Sequence, residues 1–178
     1  TTEILSGIPS IIFGLFGMVF FGTTLKLGYS VLTGSFTLTL MVLPLITRST
    51  QEALKTVPDS YRFGALGIGA TKWYMIRTIL LPSAMPGIVT GVILAIGRIV
   101  GESAALLFTA GVGTVVANNI FSAFTRSGGT LSVALYMYVS ERGEFDVGFA
   151  IAAILMLLVL CINGAAKLVE KKLRRKTK

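Results

Sequence analysis

Residues Phe63–Pro82 read FGALGIGATKWYMIRTILLP, a glycine-bearing, partly basic segment set between two long apolar runs. Pro58, just upstream, ends the helix before it, because a proline in a helix interior removes a hydrogen bond and clashes with the preceding turn. Val57-Pro58-Asp59-Ser60 then offers a turn in which Asp59 or Ser60 caps the next helix. The spacing predicts a short helix over Tyr61–Ile68 and a stop at Gly69. A second helix is expected to begin at Thr71-Lys72-Trp73-Tyr74 and to climb to Leu81-Pro82. Two readings of this elbow stand side by side. It is an amphipathic interfacial loop that anchors a bundle, or a lever that lies in the cleft of a partner. In the second reading Tyr61, Phe63, Leu66 and Trp73 supply apolar knobs, while Arg62 and Lys72 supply a polar rim.

Composition puts the elbow beside a bilayer. Of 178 residues, 53% are hydrophobic and only 13% charged, against about 25% charged in soluble domains. Mean hydropathy is +0.81. Four apolar runs approach the ~20 residues that a bilayer core requires: about Ile4–Phe21, Ser30–Thr47, Pro86–Phe108 and Val147–Val169. A soluble core helix explains one such run, but not four in so short a chain. The first run lacks a basic leader and a small-residue cleavage site, and Glu3 opens it, so it does not read as a signal peptide. The chain has no initiator Met and starts almost inside a span. It therefore reads as the C-terminal portion of a longer protein.

Charge sets the expected orientation, because Lys and Arg accumulate on the cytoplasmic side. The tail carries Lys167, Lys171, Lys172, Arg174, Arg175, Lys176 and Lys178, and the elbow region Lys55, Arg62, Lys72 and Arg77. Gly111–Asp146 carries only Arg126 and Arg142, offset by Glu141, Glu144 and Asp146. Four spans then place elbow and C-terminus inside and Gly111–Asp146 outside. That outer segment holds a helical pattern over Leu131–Tyr138 and reads as a docking ledge or as a lid. The net charge of +8 is mostly this topological signal. A nucleic-acid partner is disfavoured, since no aromatic-basic surface accompanies the tail.

Several chemistries are excluded within the chain. There is no His and one Cys, Cys161, inside the last apolar run. Zinc sites and His-based triads have no ligands or base to draw on, so neither catalytic nor metal residues are assigned. No phosphate-cradling Gly-rich loop or dinucleotide fingerprint is present, so a partner must handle any nucleotide.

The third run carries a polar constellation, Gly97-Arg98-Ile99-Val100-Gly101-Glu102-Ser103. At 3.6 residues per turn, Gly87, Gly91, Ala95, Arg98, Glu102 and Ala105 fall on one stripe. Small residues mark a face packed against other helices, so Arg98 and Glu102 are expected to point away from lipid. Their i,i+4 spacing permits a pair. An intramembrane Arg costs at least about 2.5–3.5 kcal/mol, and two readings offset that cost. Arg98 pairs with Glu102 to fix helix register, or its guanidinium fork binds an oxyanion that Glu102 helps to hold or release. Pro44, Arg48 and Glu52 repeat the Arg-x3-Glu spacing on the second run. Arg48 reads equally as a stepping point for an anion or as a positive-inside anchor.

Phe63-Gly64-Ala65, three residues, Gly69, nine residues and Ile79-Leu80-Leu81-Pro82 resemble the E-A-A-x3-G-x9-I-x-L-P loop of ABC importer permeases. Phe63 stands where that family has Glu, and Gly64 replaces its first Ala. Three further blocks resemble the A-type permease of the phosphate-specific transport (Pst) system. Gly7-Ile8-Pro9-Ser10-Ile11-Ile12-Phe13-Gly14-Leu15-Phe16-Gly17 is similar to G-x-P-S-I-x-x-G-L-F-G. Leu43–Leu54 with Val57-Pro58 is similar to the next block, and Gly101–Gly111 to G-E-T-A-P-L-L-F-T-A-G, with Ser103 and Ala104 replacing Thr and Pro.

The resemblance implies an all-α integral membrane protein of the methionine-importer-like (type I) permease fold. It implies one transmembrane domain over residues 1–178, with four membrane helices and a cytoplasmic coupling helix in a loop at about 58–82. It implies a non-catalytic subunit that imports phosphate by alternating access. The implied partners are a homologous C-type permease, an extracytoplasmic phosphate-binding protein and two cytoplasmic ATPase subunits, which hold ATP and Mg. The implied location is a bacterial or archaeal (inner) membrane, multi-pass, with the C-terminus cytoplasmic. The family's coupling surface falls on Tyr61, Phe63, Gly64, Ala65, Leu66, Gly69, Ala70 and Trp73. With Phe63 for Glu, contact there is expected from shape and apolar burial. The family's inward arginines fall on Arg48 and Arg98, with Glu102 beside them. A permease for another oxyanion or small solute, or a structural membrane subunit, are the alternatives.

Overall fold

The computed structural model describes residues 7–114 and 119–176. Among these, every regular element is helical. Helix α1 (Ser10–Gly17) continues into a π-helical stretch, Met18–Thr24. Helix α2 (Val31–Lys55) leads to α3 (Asp59–Gly67) and α4 (Lys72–Met75). A second π stretch, Ile76–Leu80, joins α4 to α5 (Leu81–Val100). Then come α6 (Ala104–Thr109), α7 (Ile120–Thr125) and α8 (Leu131–Tyr136), which runs into a third π stretch, Met137–Glu141. Helix α9 (Phe145–Lys176) closes the chain.

Among the described residues, three helical segments are long and apolar enough to cross a membrane: Val31–Lys55, Lys72–Val100 and Phe145–Lys171. The first expected run yields a shorter apolar helix, Ser10–Thr24, and its Ile4–Ser6 lie outside the described residues. Helix α2 starts at the expected place because Ser30 is extended and its Oγ accepts the Thr33 N–H at 3.2 Å. It outlasts the apolar run, reaching Lys55 rather than Thr47. The third run differs more. Its helix begins at Lys72 and stops at Val100, well short of Phe108, because the chain turns at Gly101 and restarts as α6. Hydropathy continues smoothly across that break and does not register it.

Small residues set the helix spacings. Helices α2 and α5 run antiparallel, with Gly87 and Gly91 facing Ala53 and Ser49. A Cβ on Gly87 would sit 2.7 Å from the Ala53 Cβ. Ala95, one turn on, is buried. The expected stripe Gly87-Gly91-Ala95 is therefore a helix–helix seam. Helix α1 crosses α6 and α2 through Gly14 and Gly17, which lie against Ala105 and Thr37. Gly34 on α2 meets Leu106 of α6 and Ala110 at its C-cap.

Three buried clusters follow from these crossings. Phe13, Met41, Val42 and Ala95 close one at the α1–α2–α5 junction, and Leu106, Ala110 and Val133 another around α6 and α8. The segment expected to be helical near Leu131–Tyr138 is thus packed into the bundle through Val133 and Ser132. The third cluster lies under the elbow. Helix α9 leaves Phe149, Met156, Leu157 and Leu168 exposed. So apolar a helix with so little cover is at home in a non-aqueous surround.

Candidate functional site

The elbow is built as an outward-facing plate on a tightly packed base. Ala65 of α3 is buried with Ala53 and Val57 below it and Met75, Leu80 and Ala84 from the following helix. Gly69 closes α3 with φ +79°, a left-handed conformation that favours glycine. The Ala70 N–H donates back to the Ala65 carbonyl at 3.0 Å, and the Thr71 Oγ1 accepts the Tyr74 N–H at 3.3 Å to start α4. Pro58, not Asp59 or Ser60, is the N-cap of α3, and no side-chain hydrogen bond caps it. Asp59 instead occupies the first turn, where a carboxylate suits the positive end of the helix.

The plate presents apolar side chains to the surroundings. Phe63 is 72% exposed, Ile68 84% and Trp73 70%, with Tyr61, Leu66 and Tyr74 about half exposed. Gly64, Gly67 and Gly69 have open space where a Cβ would point, so the surface between the knobs is flat and approachable. Two expected members lie elsewhere: Ala65 is buried in the base and Ala70 is half-buried against it. Arg62 also departs from the expected rim. Its guanidinium turns back to the body and donates to the Leu54 carbonyl at 3.2 Å. Ile68, the most exposed of the knobs, was not among the sequence candidates. Its position between Gly67 and Gly69, outside any packing period, is the signal that finds it.

The polar constellation is rearranged by the break at Gly101. Arg98 remains on α5, while Glu102 lies beyond its end, so the helical geometry that would pair them is lost. The Arg98–Glu102 pair that the spacing permits does not form, which leaves the register reading without its ion pair. The Glu102 side chain is buried and its Oε1 accepts the Ala105 N–H at 3.1 Å, tying down the start of α6. Its own carbonyl accepts from the Ser132 Oγ at 2.8 Å, replacing a helical bond that the break removed. Ser132→Ala is expected to lower stability by about 1–3 kcal/mol by leaving that carbonyl unsatisfied. Thermal unfolding of the purified protein in detergent measures it, and an unchanged transition refutes it.

Arg98 itself is exposed on α5. On α2, Arg48 Nε and Glu52 Oε1 are 3.1 Å apart with both side chains at least half exposed, worth a few tenths of a kcal/mol at about 0.3–0.5 for such pairs. Pairing of residue 53 with 87 and 49 with 91 puts 98 level with 42. Arg48 and Arg98 are then six residues apart along the shared axis, about 9 Å at 1.5 Å per residue. In this register the two arginines stand at different depths, and both are exposed on the chain.

The membrane-length helices and the exposed apolar elbow make an all-helical membrane-protein architecture with counterparts among solved structures of type I importers. Solved structures of the MetNI methionine ABC transporter in inward-facing conformations share that fold. Two of them superpose with TM-scores of 0.80 and 0.77 at 24% and 22% identity, each covering 97% of this chain and 72% of theirs. The chain belongs to the binding-protein-dependent transport system inner membrane component family, which matches residues 1–175. Among relatives, the probable ABC transporter permease protein YqgI of Bacillus subtilis is 39% identical, over 93% of this chain and 60% of its own length. The phosphate transport system permease protein PstA of Mycobacterium leprae is 36% identical, over 92% of this chain and 54% of its own. PstA of Pasteurella multocida is 34% identical, over 93% and 58%. The chain thus spans a little over half the length of these relatives.

Proposed function

We propose that this chain is the coupling and path-forming part of a permease that imports phosphate in an ATP-driven complex. The observation that carries the reading is the exposed face of Phe63, Ile68 and Trp73 on an otherwise well-packed elbow. An apolar face on a basic, cytoplasm-facing loop requires a partner to cover it. A nucleotide-hydrolysing subunit is that partner, since this chain has no phosphate-cradling loop of its own. ATP and Mg belong to that subunit, two copies of which serve this permease and a homologous one. An extracytoplasmic binding protein delivers the anion to the opposite end. Clamp motion of the ATPases tilts the elbow, and the attached helices alternate between outward and inward opening.

Phosphate as the cargo is supported by the likeness to PstA relatives and by the arginines. A multiply charged oxyanion meets a steep electrostatic cost in a membrane, and a guanidinium fork offsets it with paired, charge-assisted hydrogen bonds. Arg98, exposed and not paired with Glu102, presents such a fork, while Arg48, held to Glu52, stands about 9 Å along the axis. Arg98→Lys keeps the charge and loses the fork. ATP-driven phosphate uptake into proteoliposomes by the full-length complex is expected to fall roughly ten-fold, one lost charge-assisted bond's worth. Wild-type uptake in that variant would sink the role of Arg98. Undiminished phosphate uptake under excess sulfate is expected; full competition would assign the site to oxyanions at large.

A further inference from the structure

The end of α2 is closed by a residue from the elbow. A helix leaves its last four carbonyls without helical partners. Here the Glu52 carbonyl accepts the Thr56 N–H at 3.1 Å, and the Ala53 carbonyl accepts the Thr56 Oγ1–H at 2.8 Å. The Leu54 carbonyl is taken by Nη2 of Arg62, at 3.2 Å. Arg62 sits on α3, eight residues on and past the turn at Pro58. Its Nε lies 3.7 Å from Asp59 Oδ1 within the same helix, an ion pair too long for a hydrogen bond, so the Leu54 carbonyl is the guanidinium's hydrogen-bonded anchor. A cation at a helix C-terminus is also favoured by the helix dipole. Beneath it, Ala65 of α3 is buried against Ala53 and Val57.

We infer that Arg62 is a positioning residue that welds the elbow helix α3 to the inner end of α2, so that the two move as one rigid body. Without this bond the α2–α3 junction would rest on the turn at Pro58 and on apolar packing of Ala65 against Ala53 and Val57 alone. With it, displacement of α3 passes directly into the helix that carries Arg48 and Glu52. Give in the elbow then lies on its other side, at Gly69 and the π stretch Ile76–Leu80, an irregularity frequent at functional sites. This inference rests on the coupling role proposed above for α3.

Two measurements on the full-length permease test it. Spin labels at Gln51→Cys and Gly67→Cys, both exposed, in a Cys161→Ser background in nanodiscs, report the α2–α3 distance. A narrow distribution is expected with Arg62, a broad one in Arg62→Met, and a narrower one again in Arg62→Lys, whose amine still reaches a carbonyl. In the complex with its ATPase, phosphate transported per ATP hydrolysed is expected to fall roughly ten-fold in Arg62→Met, the loss of one charge-assisted bond. A packing role alone would lower yield and melting temperature while leaving that ratio intact. An unbroadened distance, or an unchanged ratio, overturns the weld. Failure of the coupling reading itself shows separately, as ATPase binding that survives charges on the outward face of α3.

Discussion

A full-length permease carrying Phe63→Asp and Ile68→Asp is expected to insert and fold, and to lose its ATPase. Both side chains stand in the open, Phe63 72% and Ile68 84% exposed, so neither contributes to the packing of the isolated chain. Surface changes away from buried features leave stability nearly unchanged. In a complex each apolar side chain contributes about 1.5–3 kcal/mol when covered, and a carboxylate in its place must be desolvated or left facing the partner. Affinity should drop by at least about two orders of magnitude. Pull-down of the ATPase with tagged permease reads this, with melting temperature as the control. Retained ATPase together with normal melting would remove the elbow from the interface.

Gly14→Val is expected to destabilise the helix bundle severely. A Cβ at Gly14 would lie 2.8 Å from the Ala105 Cα, an atom of the facing backbone. A side-chain tip can swing away from such a contact; a backbone cannot without moving α6. Overpacking costs about 1–3 kcal/mol even where side chains yield, and here α6 is also tied to Glu102 and through it to Ser132. Gly164→Ala is the matched control, since a Cβ there meets nothing within 4 Å. That change should be neutral or gain up to about 1 kcal/mol from helix propensity. Thermal unfolding of both variants in detergent decides the matter. Equal melting would show that glycine content, not close approach, governs these helices.

Much of the site was legible in sequence because it depends on local rules. Gly69 was readable as a helix stop, Thr71 as the next start, and Phe63 and Trp73 as knobs on a short polar-flanked helix. Arg62, Ala65 and Ala70 were misplaced for one shared reason. A short helix has an inward and an outward face, and the faces are assigned by the helix beneath, here through its Ala53 and Leu54 and the adjoining Val57. Arg98 and Glu102 share another cause. Four-residue spacing implies neighbours only while the helix is unbroken, and Gly101 ends it between them.

Hydropathy, charge asymmetry and turn residues are properties of short stretches, and they alone determined an all-helical membrane bundle with a basic elbow. Which helix the small-residue stripe meets, which way Arg62 faces, and whether Arg98 is paired are relations between segments distant in sequence. Only the tertiary structure decided them, because close approach and hydrogen-bond partnership depend on the helix that happens to lie opposite.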